Sequence, residues 1–169
     1  SGVVPDLICL GKALTGGFPL SACVGRADVM DAAWPVSNGE AIHTSTFLGH
    51  PVGCAMALAE ITEIKRLKLC ESSAKLGEQL MELLSNINHK QSTVRGQGLM
   101  VGLELKLLDG KPATQEALKA IKGLLHQGFI FLPEGEHASV IGFTPPLTIS
   151  EAQLASAVQA LANELKRVF

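Results

Sequence analysis

Two segments carry side chains able to do chemistry. In the first, Lys12 follows the short apolar run Pro5-Asp6-Leu7-Ile8-Cys9-Leu10 and lies in Gly11-Lys12-Ala13-Leu14-Thr15-Gly16-Gly17-Phe18-Pro19, a loop with three glycines and one proline. An amine at the end of a buried strand, flanked by glycine, can occupy a partly desolvated pocket. Burial disfavours the charged form, and a neutral amine attacks a carbonyl to form a Schiff base. A solvated loop lysine is the competing reading. A phosphate-binding P-loop is excluded, because Asp6 stands where that pattern needs its first glycine and Ala13 where it needs Ser or Thr.

The second segment is His43-Thr44-Ser45-Thr46-Phe47-Leu48-Gly49-His50-Pro51, a hydroxyl-rich turn just before a helix start. Hydroxyls and free N–H groups at such a place can hold an anion, phosphate above all, or the hydroxyls can serve as plain helix caps. His43 and His50 read as hydrogen-bonded structural residues, since no third metal ligand stands at a useful spacing.

The elements that must position these groups follow from composition and pattern. Of 169 residues, 47% are hydrophobic and 18% charged, which excludes disorder and sets one or two globular domains. Fourteen Lys and Arg against sixteen Asp and Glu, with no long run of either sign, exclude an electrostatic footprint for nucleic acid. No apolar run reaches a membrane span and the first residues lack the parts of a signal peptide, so the expected location is cytoplasmic. Cys9, Cys23, Cys54 and Cys70 form no CxxC pair and have apolar neighbours; they are expected as buried free thiols, without disulfide or structural zinc.

Residues 5–10 and 20–25 read as buried strands around the lysine loop. Pro51 suits a first helical position, and Val52, Ala55, Met56 and Ala59 continue a helix to about Arg66. A second helix is expected from near Leu69 to Asn88, with Leu76, Leu80, Leu83, Leu84 and Ile87 on one face. From Thr93 to Leu105 the pattern is strand-like, with glycines that signal a bulge or a close backbone approach. Asp109-Gly110 marks a turn, Thr114 a helix cap, and Gly128 a helix end followed by the strand Phe129-Ile130-Phe131-Leu132. Val140 to Thr144 forms another strand, stopped by Pro145-Pro146, and Ser150-Glu151-Ala152-Gln153 is a capping box opening the last helix. The reading is an α/β chain in three parts. Residues 1–50 are the incomplete end of a large domain, 51–89 connecting helices, and 90–169 a small α+β domain with a small mixed sheet covered by helices.

Four blocks taken together, Pro5 to Gly17, Ser45-Thr46-Phe47-Leu48-Gly49-His50-Pro51, Val94-Arg95-Gly96-Gln97-Gly98-Leu99-Met100 and Pro145-Pro146-Leu147-Thr148-Ile149, resemble the class III aminotransferases in order and over nearly the whole chain. These are pyridoxal 5'-phosphate enzymes of fold type I that include ornithine, acetylornithine and 4-aminobutyrate aminotransferases. The resemblance implies the C-terminal portion of that fold. It implies Lys12 as the lysine that holds the cofactor through an imine and shuttles the proton, and Thr46, with Ser45 beside it, as the contact to the cofactor phosphate across a homodimer interface. Arg95 and its glycines match a feature that shapes the first strand of the small domain.

Two departures accompany the likeness. Gly142 stands where many members carry an arginine that grips a substrate carboxylate, so an amine or ω-amino acid is favoured as amino donor to a keto acid. The aspartate that protonates the pyridine nitrogen and a Gly-rich phosphate segment precede the lysine in the family, and the chain begins after both; alone it is expected to be inactive. An aminomutase on the same fold and a non-catalytic α+β module are the alternatives.

Overall fold

The computed structural model describes residues 2–40, 43–87 and 92–169. The chain divides into two compact units, Ser1–Leu67 and Lys68–Phe169. The helices expected to connect two domains are thereby split, one to each unit.

The first unit contains β1 (Leu7–Leu10), a 3-10 turn (Lys12–Thr15), β2 (Ala22–Gly25), α1 (Ala27–Ala33) and α2 (Pro51–Arg66). β1 and β2 pair antiparallel, with Leu7 opposite Gly25 and Leu10 opposite Ala22. The sequence pattern leads one to expect buried strands; instead Ile8 is 45% and Val24 55% exposed. Two strands cannot cover each other's faces, and among the described residues no helix of this unit packs extensively on either strand. The short α1 gave no expectation from the sequence. Arg26 caps it without a side-chain cap bond, its guanidinium forking onto Asp28 and reaching Asp6 at 3.1 Å, which ties the start of β1 to the start of the helix.

The second unit contains α3 (Leu69–Ser85), β3 (Ser92–Gln97), β4 (Met100–Leu105), α4 (Thr114–His126), β5 (Leu132–Glu134), β6 (Val140–Phe143) and α5 (Glu151–Val168). Its sheet has the order β3-β4-β6-β5 and is antiparallel at every pairing, not mixed as expected. Leu80 and Leu84 of α3, Ala117 and Leu124 of α4, and Leu161 and Leu165 of α5 close over Leu103, Leu105 and Ile141 of the sheet to make one core. The alternation along β4 is strict, Val101, Leu103 and Leu105 buried between less buried neighbours, as one covered face requires.

Several local expectations change on contact with tertiary structure. The strand-like run from Thr93 to Leu105 is a hairpin, with Gln97 opposite Met100 and Gly98 at φ +54° at the first central turn position, where a two-residue loop of the II′ kind takes glycine. Thr114 is the first helical residue rather than the cap: Ala113 holds the N-cap position without a side-chain cap bond, and the Thr114 hydroxyl donates to the His137 carbonyl. β5 begins only at Leu132, so Phe129 to Phe131 lead into it without pairing. The expected end of α3 at Asn88 lies outside the described residues; the described helix ends at Ser85. The capping box of α5 is present in both directions, Gln153 N–H donating to Ser150 Oγ at 3.2 Å and Ser150 N–H to Gln153 Oε1 at 3.0 Å.

All four cysteines are exposed, against the expectation of burial. Cys9 and Cys23 lie on the uncovered sheet, Cys54 points off the face of α2 that buries Gly53 and Ala57, and Cys70 precedes Leu76, the first core residue of α3. No helix among the described residues is long and apolar enough to cross a membrane.

The expected close backbone approach is real, and its partner is α3. A Cβ at Gly77 would lie 2.1 Å from the Gly98 carbonyl oxygen, and the Leu99 N–H donates to Ser73 Oγ at 3.1 Å. Gly77→Ala must therefore push helix from hairpin, and is expected to lower the stability of this unit by about 1 to 2 kcal/mol after the helix-propensity gain of alanine. Gly142→Ala meets only the rotatable Glu134 side chain and is expected to change stability by no more than about 0.5 kcal/mol. Denaturant midpoints at unchanged slope measure both; equal effects would refute the close approach.

α3 and α5 are also joined by Lys75 Nζ to Glu151 Oε1 at 3.0 Å. The lysine hydrogen bond and charge, with Gln79 adding a weaker bond, hold the Glu151 carboxyl below its ordinary value. A depressed folded value means that this contribution is present at neutral pH and lost as pH falls through that depressed value. In an NMR titration the Glu151 midpoint is expected to rise in Lys75→Ala, and an unmoved midpoint would rule the contact out.

Candidate active site

Lys12 opens the 3-10 turn with φ +52°, left-handed for a residue that carries a Cβ. Such a conformation costs about 1 kcal/mol or more and persists only where the surroundings hold it. Here the holding is done on both sides. β1 and β2 fix the ends of the loop by their register, and Gly16, at φ +64°, closes the turn by donating its N–H to the Ala13 carbonyl at 3.2 Å. Behind the turn Thr15 is buried and its hydroxyl donates to the Phe18 carbonyl.

The pocket expected around Lys12 is not there: the residue is exposed, and its amine has no ion-pair or hydrogen-bond partner among the described residues. The reason is the uncovered sheet from which it projects.

Ser45 and Thr46 lie in two overlapping turns, in which the Leu48 N–H donates to the Ser45 carbonyl and the His50 N–H to the Phe47 carbonyl, each at 3.1 Å. Both residues are exposed, and neither hydroxyl has a partner among the described residues. Ser45 shares an open groove with Pro19, Leu20 and Ser21 from the far end of the lysine loop; Thr46 and Lys12 do not line it. The expectation of free helix N–H groups beside these hydroxyls needs correction. His50 caps α2, taking the Gly53 N–H on Nδ1 at 3.5 Å and the Cys54 N–H on its carbonyl at 2.9 Å.

What joins the two segments is the His50 ring. It lies 5.1 Å from the ring of Phe18, in the lysine loop, and 5.5 Å from that of Phe47, in the hydroxyl turn. Phe18 in turn fits against α2 because residue 53 is glycine: a Cβ there would stand 3.1 Å from the Phe18 ring. The sequence marked His50 as structural without showing what it holds. Only the alternation of Phe18, Phe47 and His50 around the two motifs hinted at it.

In the second unit, Arg95 binds Glu104 at 2.6 Å across the hairpin, the structural part expected of it. Gly142 lies opposite Gly102 of β4 and Leu132 of β5, and the Glu134 carboxylate, without a partner among the described residues, stands over it, 2.5 Å from where a Cβ would be.

The family model described as Aminotransferase class-III matches residues 1–165 of the chain. The chain belongs to the class III aminotransferases. It is 38% identical over 169 residues to a 5-aminovalerate aminotransferase of Pseudomonas aeruginosa, covering 96% of this chain and 38% of that protein. To an ornithine aminotransferase of Bacillus cereus it is 40% identical over 164 residues, covering 95% of this chain and 37% of the relative. A transaminase from the marine bacterium Virgibacillus superposes with a TM-score of 0.88 at 30% identity, over 98% of this chain and 40% of that one. The chain thus spans about two fifths of the length of these class III relatives and matches their C-terminal part. Its fold is that of a portion of a fold type I transferase.

The left-handed backbone at Lys12 is testable apart from any activity. Glycine takes that conformation freely, so Lys12→Gly is expected to be more stable than Lys12→Ala by about 1 kcal/mol. Equal thermal midpoints for the two variants would contradict the conformation.

Proposed function

We propose that the complete class III protein transfers an amino group from an amine or ω-amino acid to a keto acid with pyridoxal 5'-phosphate, and that Lys12 is its catalytic lysine. The observation that carries this reading is the pairing of an exposed, unpartnered amine in a held, left-handed turn with two unpartnered hydroxyls on a turn packed to the same loop through His50. An aldehyde-bearing phosphate ester asks for such a donor set. When bound, the cofactor supplies a sink for the electron pair released at the substrate carbon.

The residues of this chain would do the rest. Lys12 Nζ is the point of covalent attachment and, as a free amine, takes the proton from the substrate carbon and returns it to the neighbouring centre. Thr46 Oγ1, with Ser45 beside it, donates a charge-assisted hydrogen bond to the phosphate, of the partner subunit's site in a homodimer. Residues 1–50 belong, in this reading, to the end of the large cofactor-binding domain. The uncovered faces of β1 and β2 are then met by the part of the relatives' length that this chain does not span. Gly142 leaves the small sheet without a cation at the position in question, while Arg95 is already paired and Glu134 adds negative charge. This supports a donor that carries no α-carboxylate beside its amino group.

Assays of the complete protein with a panel of amines and ω-amino acids and a keto acid acceptor test the reading. Lys12→Ala is expected to abolish turnover and the visible absorbance of the attached cofactor; retained absorbance would remove Lys12 from the role. Thr46→Ala is expected to weaken cofactor binding by roughly 1.5 to 3 kcal/mol, ten- to a hundred-fold in Kd. A rearranged amino acid in place of the keto product would identify an aminomutase instead.

A further inference from the structure

We propose that His50 is a positioning residue, whose ring sets the Lys12 loop against the hydroxyl turn and so governs both proton transfer by Lys12 and phosphate binding by Thr46. The inference rests on the roles proposed above for those two residues. The lysine loop has a firm seat on α2. Thr15 is buried behind it, a Cβ on Gly16 would stand 3.6 Å from Glu60 Oε2, and one on Gly53 would stand 3.1 Å from the Phe18 ring. The hydroxyl turn has no such seat among the described residues. Its backbone hydrogen bonds, from Leu48 N–H to the Ser45 carbonyl and from His50 N–H to the Phe47 carbonyl, stay within the turn. Two ring contacts fix it from outside that ladder: His43 lies 6.3 Å from Trp34, at the end of α1, and Phe47 lies 5.5 Å from His50. Of these, only the second continues to the lysine loop, through the 5.1 Å contact of His50 with Phe18.

Each end of this row of rings has its own chemical consequence. Phe18 shares a loop with Lys12, so a displaced ring is carried to the amine; a misplacement of about 1 Å can cost a positioned reaction about 100-fold. Phe47 follows Thr46 directly, so a displaced ring there is carried to the hydroxyl and costs affinity for the phosphate. His50 has a second task that can be separated from this one. As the N-cap of α2 it accepts the Gly53 N–H on Nδ1 at 3.5 Å. Asparagine is at least as good an N-cap but has no ring, whereas phenylalanine has a ring and no acceptor. The two substitutions therefore tell positioning from helix capping.

Kinetics, cofactor titration and hydrogen exchange of the complete protein test this. His50→Asn is expected to lower kcat per bound cofactor by about tenfold or more and to raise the cofactor Kd by about two- to tenfold. The deuterium isotope effect on kcat, for a donor labelled at the carbon that loses its proton, is expected to rise. In the cofactor-free protein the Gly16 and Leu48 amides, which close the lysine loop and the hydroxyl turn, are expected to exchange faster. His50→Phe is expected to reverse these changes relative to His50→Asn. Phe18→Leu is expected to move kcat more than Kd, and Phe47→Leu the reverse. Unchanged kcat, isotope effect and Kd in His50→Asn would overturn the proposal, as would equal impairment in His50→Asn and His50→Phe. A smaller yield of folded protein with kcat per bound cofactor and Kd intact would also overturn it, since capping alone predicts that. Should the variants at position 50 not fold, an unimpaired Phe18→Leu, Phe47→Leu double variant is equally decisive. Lys12→Ala and Thr46→Ala test the underlying roles separately: if both behave as expected and His50→Asn does not, the positioning alone fails.

Discussion

His50 is the residue through which the lysine loop, the hydroxyl turn and the start of α2 are joined. Lys12 and Thr46 lie far apart in sequence, on a loop and a turn that share no backbone hydrogen bond among the described residues. The His50 ring, 5.1 and 5.5 Å from those of Phe18 and Phe47, touches both segments at once. Ring contacts at these distances contribute about 0.5 to 1.5 kcal/mol each, which is the scale of the loop-closure entropy they must offset. The same histidine caps α2, so the start of the helix, the lysine loop and the hydroxyl turn have one common point. Gly53 belongs to this arrangement with the rings, because a Cβ there would stand 3.1 Å from the Phe18 ring and oblige it to shift.

Burial is distributed very unevenly. Every residue of the apolar core cluster lies between Leu76 and Leu165, in the second unit, whereas among the described residues the first unit buries only Thr15, Gly53 and Ala57. Groups with few buried contacts open locally at low free energy. The residues given chemical roles thus sit where this chain is least supported by its own packing, and the residues that stabilise it sit where no chemistry is assigned. That division explains why Lys12 is solvated here. A strand-end lysine loses water only when the faces of its sheet are covered, and β1 and β2 have only each other.

Elements governed by local rules were legible in the sequence. Pro51 starts α2, Ser150 and Gln153 cap α5 reciprocally, and Gly128, at φ +86°, follows the end of α4, each for a reason contained within four residues. The family motifs were legible for the same reason, as short strings in a fixed order. What the sequence hid depends on distant partners. Thr114 looks like a cap until the helix is seen to take Ala113 as its N-cap, with the Thr114 hydroxyl donating to the distant His137 carbonyl. Gly98 looks like a bulge until Gln97 and Met100 are seen to pair across it. The cysteines look buried beside their apolar neighbours, but strand neighbours point to opposite faces and say nothing about what covers those faces.

The departure at Gly142 involves more than one missing side chain. In register across the small sheet run Arg95, Gly102, Gly142 and Leu132, so the open face has a glycine floor between an arginine and an apolar edge. The arginine is committed to Glu104, which also has Lys106 at 3.9 Å. Glu134 fills the space above Gly142 with a carboxylate that no cation neutralises among the described residues. An arginine introduced at 142 would start with its Cβ against the Glu134 side chain, and a guanidinium paired with that carboxylate would be neutralised rather than offered outward. In the proposed reading, a carboxylate grip on this face requires changing both positions, because its electrostatic character is set by Glu134 as much as by the absence of a side chain beneath it.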